Sequence, residues 1–242
     1  MRYTEKITNG PLNKTLHSVE QKYSRDRNIR AVFITGSVAR GAATKLSDID
    51  LVHIVRRPRP YVRYFSGQTH IEVLSLTFEE ITKHLRQQPM TSFSLWELHP
   101  LYDPEHLHLI INKLLRTWRK KFHVEPKIKG DLYIILDHIQ RKIISAKKVG
   151  DNVRTLFFAI VGLEPILAGF FAANDVLIPP ASEMIKLLPM IKRKPAHFDR
   201  SVKTIIQGSN REKIQGTLRL LNFIVPRLRP AMRYFPRNYR PL

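Results

Sequence analysis

The stretch from Phe33 to Val55, "FITGSVARGAATKLSDIDLVHIV", constrains this chain more than any other. An apolar run stops at Gly36, a turn of small residues follows, and a second apolar run carries Asp48 and Asp50 two positions apart. Alternation along a strand sends Asp48 and Asp50 to one face, with Cα atoms roughly 6.5–7 Å apart, and turns Ile49 and Leu51 into the core. Two carboxylates this close repel, and each raises the other's pKa unless a cation sits between them. Hard oxygen donors with no sulfur and no neighbouring histidine pair favour Mg2+ or Mn2+ over zinc.

"THIEVLSLT" reads as another strand, with Ile71, Val73 and Ser75 on one face and Glu72, Leu74 and Leu76 on the other. If it pairs beside the Asp48–Asp50 strand, three carboxylates converge. Such a set suits two divalent ions about 3.5–4 Å apart and in-line phosphoryl transfer. Gly36 and Ser37 stand where a strand gives way to a helical turn. Glycine there lets the backbone approach a phosphate, exposed N–H groups bind anions, and the serine hydroxyl adds a donor. Arg40, three residues on, is placed to reach the same phosphates.

"TGSVARG" followed by "LSDIDLVHI" resembles the signature of the polymerase-β-like nucleotidyltransferase superfamily, over roughly residues 30 to 75. "LYDP" followed by a helix is similar to the junction after the catalytic domain in bacterial antibiotic (kanamycin- or aminoglycoside-type) nucleotidyltransferases. The resemblance implies an α+β chain: a mixed sheet flanked by helices, then an all-helical acceptor-binding domain. It implies two Mg2+ ions, or Mn2+ in their place, bound by Asp48 and Asp50, with Glu72 as the third carboxylate acting as ligand or general base. It further implies triphosphate contacts from Gly36 and Ser37, with Arg40 and Ser47 of the same signature counted among the nucleotide-binding residues. The reaction implied is attack of an acceptor hydroxyl on the α-phosphorus of a nucleoside triphosphate, ATP by expectation, with pyrophosphate leaving.

The rest of the chain divides in two. Leu12, Leu16, Val19 and Tyr23 recur at helical steps before the first strand. Thr77 and Glu80 form the capping-box pair of the helix that follows "THIEVLSLT". "RRPRP" ends the second strand, since proline removes ladder donors, and "IVRRPRPYVRY" reads as a solvated loop, the alternative being that its arginines and proline line the substrate cleft. From "LYDPEHLHLIINKLLRTW" onward only helices are expected, including a central one apolar almost all round over "VRTLFFAIVGLEPILAGFFAAN". The expected boundary lies at Tyr102 and Asp103, with a catalytic domain over 1–102 and a helical acceptor-binding domain over 103–242.

Composition bears on partners. The 41 Lys+Arg against 20 Asp+Glu give a net charge of +21, a field that gathers anions such as nucleotides, RNA or an anionic membrane surface. The absence of cysteine excludes disulfides and thiolate metal sites and fits a reducing cytoplasm. Glu164 and Pro165 interrupt the most apolar stretch, so no membrane span is expected.

The acceptor follows from less. A polycationic aminoglycoside-like antibiotic needs acidic groups such as Glu125, Asp131, Asp137, Asp151 or Glu164. Glu164 is the acceptor-side candidate base, because a carboxylate buried without a partner is costly. The alternatives are the same chemistry on an RNA end or a protein hydroxyl, or a non-catalytic nucleotide- or nucleic-acid-binding module. "RLRPAMRYFPRNYRPL" interleaves arginines with Tyr234, Phe235 and Tyr239, a composition suited to phosphates and stacked bases. The ten histidines, Trp96 and Trp118 read as structural.

Overall fold

The computed structural model describes residues 12–87, 94–120 and 122–234, in two compact units, Met1–Lys121 and Phe122–Leu242.

In the first unit, helix α1 (Asn13–Ser24) precedes strand β1 (Ile29–Thr35), the short turn α2 (Gly36–Ala39) and strand β2 (Ile49–Val55). A hairpin follows, β3 (Val62–Ser66) and β4 (Thr69–Leu76), then helix α3 (Phe78–Gln87), strand β5 (His99–Tyr102) and helix α4 (Leu107–Arg119). The five strands form one mixed sheet in the order β3-β4-β2-β1-β5. Only β2 and β4 run parallel, and that pairing brings Asp50 opposite Glu72.

Strand alternation gives the sheet two apolar faces. On one, Leu16, Val19 and Tyr23 of α1 cover Val32, Ile34, Ile49, Leu51, Ile71 and Val73. On the other, Ile81 of α3 and Leu107, Ile111 and Leu115 of α4 cover Ala31, Phe33, Val52 and Ile54. Burying each large aliphatic side chain stabilises by about 1.5–3 kcal/mol, so α4 is held to the sheet by three such residues. The first unit therefore ends beyond α4, at Lys121, and not at the expected Tyr102. Trp96 and Trp118 meet edge to face at 5.7 Å against the same cluster. Thr77 and Glu80 make the expected capping box, with Thr77 N–H donating to Glu80 Oε2 at 2.7 Å.

One strand departs from an expected loop. Edge strand β3 is largely exposed, so it carries no apolar alternation to read, and Gly67 at φ +62° turns it into β4. Strand β5 is four residues long and includes Pro100.

His53 lies in β2 on the α1 face. It is 2% exposed, its Nε2 has no hydrogen-bond partner among the described residues, and the Tyr23 ring packs edge-on at 4.3 Å. Burial, aided by the nearby Arg59 charge, pushes its pKa down from 6.5 to about 4. The fold thus favours neutral His53. Its contribution is fully present above pH 6.5 and is lost as pH falls towards about 4, amounting to about 3 kcal/mol. Urea unfolding at neutral pH and at pH 4.5 should show this loss in the wild type and a much smaller one in His53→Leu.

The second unit is helical: α5 (Pro126–Lys148), α6 (Asn152–Val161), α7 (Leu163–Ala173), α8 (Ala181–Leu187), α9 (Phe198–Gln207) and α10 (Asn210–Leu228), with 3-10 turns at Leu188–Met190 and Arg229–Tyr234. Leu136, Ile143, Ile166, Phe170, Phe171, Leu220, Leu221 and Ile224 form its core. The single apolar helix expected over "VRTLFFAIVGLEPILAGFFAAN" is two helices, bent by 41° at Gly162. Only α7 is buried nearly all round, whereas α6 leaves Val153, Phe157, Ile160 and Val161 exposed. Among the described residues no single helix is long and apolar enough to cross a membrane. Ser209 caps α10, donating to and accepting from Glu212. Phe235 and Tyr239 lie outside the described residues.

Candidate active site

The face of the sheet covered by α3 and α4 changes character over one level. Phe33, Val52 and Leu74 stand in register across β1, β2 and β4, and one step on the same face come Thr35, Asp50 and Glu72, with Arg63 of β3 opposite Glu72. Paired strands lie about 4.8 Å apart, so backbone hydrogen bonds hold Asp50 and Glu72 side by side against their mutual repulsion. The strand interiors stay apolar, and the polar row falls where the covering layer ends. Thr35 Oγ1 donates to the Ser94 carbonyl at 2.8 Å.

Asp48 immediately precedes β2 and is about half exposed, its side chain retaining 53% accessibility. Asp50 is the more enclosed of the two. Burial, and then the charges of Glu72 and Asp48, push its carboxyl above the ordinary 3.8, while Arg40 and His70 oppose the rise. A carboxylate that burial and two like charges disfavour is one whose charge a bound cation would relieve.

Glu72 accepts a hydrogen bond from the Tyr61 hydroxyl and pairs with Arg63 Nε at 3.1 Å. Arg63 Nε also donates to the Tyr61 oxygen at 2.9 Å. These partners come from the stretch expected to be a solvated loop.

His70 is the residue that sequence reasoning missed. It sits two positions before Glu72 on β4, hence on the same face, with Nδ1 3.5 Å from Asp48 Oδ1 and 3.8 Å from Glu72 Oε1. The Phe65 ring packs against it at 5.1 Å. Asp48, His70 and Glu72 offer ligand atoms all within 4.8 Å of one another, the one such group among the described residues. The i, i+2 spacing of His70 and Glu72 was the available signal. Two carboxylates beside a third, with one imidazole, fit a divalent cation, and the nitrogen donor suits Mn2+ better than an all-oxygen set does.

The turn expected to meet phosphate is built on Gly36, whose φ of +68° is left-handed. A Cβ at this position would lie 2.0 Å from Asp50 Oδ2, so the missing side chain is what lets Asp50 lie against the turn. Ser37 follows in that turn, half-buried. The first N–H groups of a helical turn lack intrahelical acceptors and point outward.

Arg40 ends the turn, and its guanidinium pairs with Glu97. It is therefore anchored, within electrostatic range of Asp50. Ser47 accepts from the Thr44 N–H at 2.8 Å and so closes the loop leading to Asp48. Glu164 departs from its rationale. It is exposed in the first turn of α7, where a negative charge is favourable and needs no partner.

Residues 12–114 match the family described as nucleotidyltransferase domain. Among solved structures, the chain is similar to the crystal structure of a nucleotidyltransferase-like protein from Exiguobacterium sibiricum 255-15. That likeness has a TM-score of 0.51 at 10% identity and covers 93% of this chain and 81% of that one, so it speaks to the fold alone. No curated protein matches the chain. The matched region includes all five strands and most of α4, and its polar row is the candidate centre.

Proposed function

We propose that this protein transfers a nucleoside monophosphate from a nucleoside triphosphate, ATP by preference, to a hydroxyl of a small acceptor. The observation that carries the reading is the register of Asp50 against Glu72 beside Asp48, with the Gly36 turn lying on Asp50. Asp48, Asp50 and Glu72 would hold divalent cations, with His70 as a further donor. When bound, such ions polarise the attacking hydroxyl and neutralise charge on the departing pyrophosphate.

The chain's own groups do the rest. The Gly36–Ser37 turn admits the triphosphate tail against its backbone, and Arg40, steadied by Glu97, supplies positive charge beside Asp50. Arg63 balances the Glu72 carboxylate, and Tyr61 donates to its other oxygen. Glu72 is the carboxylate assigned to receive the acceptor proton.

The helical unit is read as the acceptor-binding part. Two of its acidic residues have other partners, which weighs against a polycationic acceptor: Asp137 pairs with Arg141 at 2.7 Å and Asp151 caps α6. The net charge of +21 favours a second reading, the same transfer to an RNA end.

Incubation with α-labelled nucleoside triphosphates, Mg2+ or Mn2+, and pools of small alcohols or of RNA tests both. Labelled product with stoichiometric pyrophosphate is expected, and its size separates the two acceptors. Absence of pyrophosphate release across all pools and both metals would overturn the transferase reading.

A further inference from the structure

The helical unit carries a polar cavity. It lies between α9 and α10 and has a volume of about 270 Å3. Its lining is almost wholly polar and includes His197, Arg200 and Ser201 from the start of α9 and Glu212, Gln215 and Arg219 from α10.

Three observations converge there. First, α9 begins at this cavity without a side-chain cap: His197 occupies the N-cap position at φ +60° and makes no capping hydrogen bond. Phe198 N–H donates to the Pro195 carbonyl at 3.2 Å, so the Asp199 and Arg200 N–H groups that follow it, and the positive end of the helix dipole, are what the turn offers an anion. Asp199, the acid of that turn, is paired with Lys194 at 3.0 Å. Second, Arg200 and Arg219 are exposed and form no hydrogen bond or ion pair among the described residues. The carboxylate on this wall, Glu212, is committed to the capping box of α10, accepting from Ser209 N–H at 2.8 Å and Ser209 Oγ at 2.7 Å. Third, Ser201 is 2% exposed, and its buried hydroxyl has no partner among the described residues. A buried hydroxyl left unsatisfied costs about 1–3 kcal/mol, and a ligand oxygen in the cavity would remove that cost.

We propose that this cavity is a binding site for a phosphate monoester group, separate from the nucleotidyl-transfer centre. Arg200 and Arg219 supply two guanidiniums, whose planar donors match phosphate oxygens. The start of α9 and the Ser201 hydroxyl complete the cradle. Two guanidiniums and a helix N-terminus favour a dianion over a singly charged diester, which selects the terminal monoester or free phosphate. The unit's basic surroundings raise the local concentration of such a ligand, and the cavity gives it a place.

Calorimetric titration of the full chain with inorganic phosphate, and with a short RNA in 5′-phosphorylated and unphosphorylated forms, tests the assignment. Arg200→Gln and Arg219→Gln should each weaken binding at least about tenfold, and Ser201→Ala severalfold, with unchanged circular dichroism. Lys192→Gln, an exposed cation outside the cavity, is the charge-matched control and should leave binding unchanged. The His197 imidazole resonances should shift on titration and should fail to shift in Arg219→Gln. Binding of inorganic phosphate identifies a free phosphate ligand, and binding only of the 5′-phosphorylated RNA identifies an RNA end; either upholds the monoester site. Equal binding by the unphosphorylated RNA, no binding of any probe, or equal losses in Lys192→Gln and the cavity variants would overturn it.

Discussion

Asp50→Asn should reduce nucleotidyl transfer on the order of a thousandfold while leaving the metal-free protein at least as stable as the wild type. The two halves have one cause. Asp50 is enclosed, and burial together with the neighbouring Glu72 and Asp48 charges already disfavours its ionised form. Asparagine keeps the shape and the register but removes the charge, so the fold loses a repulsion while the site loses a ligand. Pyrophosphate release measures the first effect and thermal unfolding the second. Added Mg2+ or Mn2+ should raise the wild-type midpoint, because a ligand that binds only the native state stabilises it, and should raise the variant's much less. Undiminished turnover in Asp50→Asn would remove Asp50 from the metal site.

Gly36→Ala should have the second largest effect. The backbone there has φ +68°, and the new Cβ would fall 2.0 Å from Asp50 Oδ2 and 3.0 Å from its Cγ. Strain at a left-handed position costs about 1 kcal/mol or more, and relief of the clash must move Asp50 or the turn. A displacement of about 1 Å at a reacting centre is worth about a hundredfold in rate. Activity should therefore fall on the order of a hundredfold and the unfolding midpoint should drop, the opposite stability sign from Asp50→Asn. An active, stable Gly36→Ala protein would show that the turn and Asp50 do not share one site.

The parts of this site legible in the sequence were those governed by local rules. Alternation placed Ile49 and Leu51 in the core and sent Asp50 to the other face, because a strand's side-chain period is independent of what it pairs with. The capping box at Thr77 and Glu80 was legible for the same reason, since its donors and acceptors lie within one turn. Edge strand β3 was not legible. Its residues face water, so burial wrote no pattern on them, and Tyr61 and Arg63 gained their roles only by lying beside Glu72. For His70 the i, i+2 spacing from Glu72 marks only a shared strand face, and its nearness to Asp48 comes from tertiary structure.

Arg40 and Glu164 mark the limit from the other side. Arg40 stands in the motif as read, yet Glu97, 57 residues away in sequence, takes its guanidinium. The burial expected of Glu164 is removed by the bend at Gly162, since the break places it in an exposed first turn.

By itself, the order of residues from Phe33 to Val55 determined an apolar strand, a glycine turn and a second strand that carries Asp50 with Asp48 just ahead of it, hence the class of chemistry proposed. Tertiary structure decided which carboxylate stands beside them. Parallel pairing of β2 with β4 aligns Asp50 with Glu72 through hydrogen bonds between backbones more than twenty residues apart in sequence, and no local period encodes that choice.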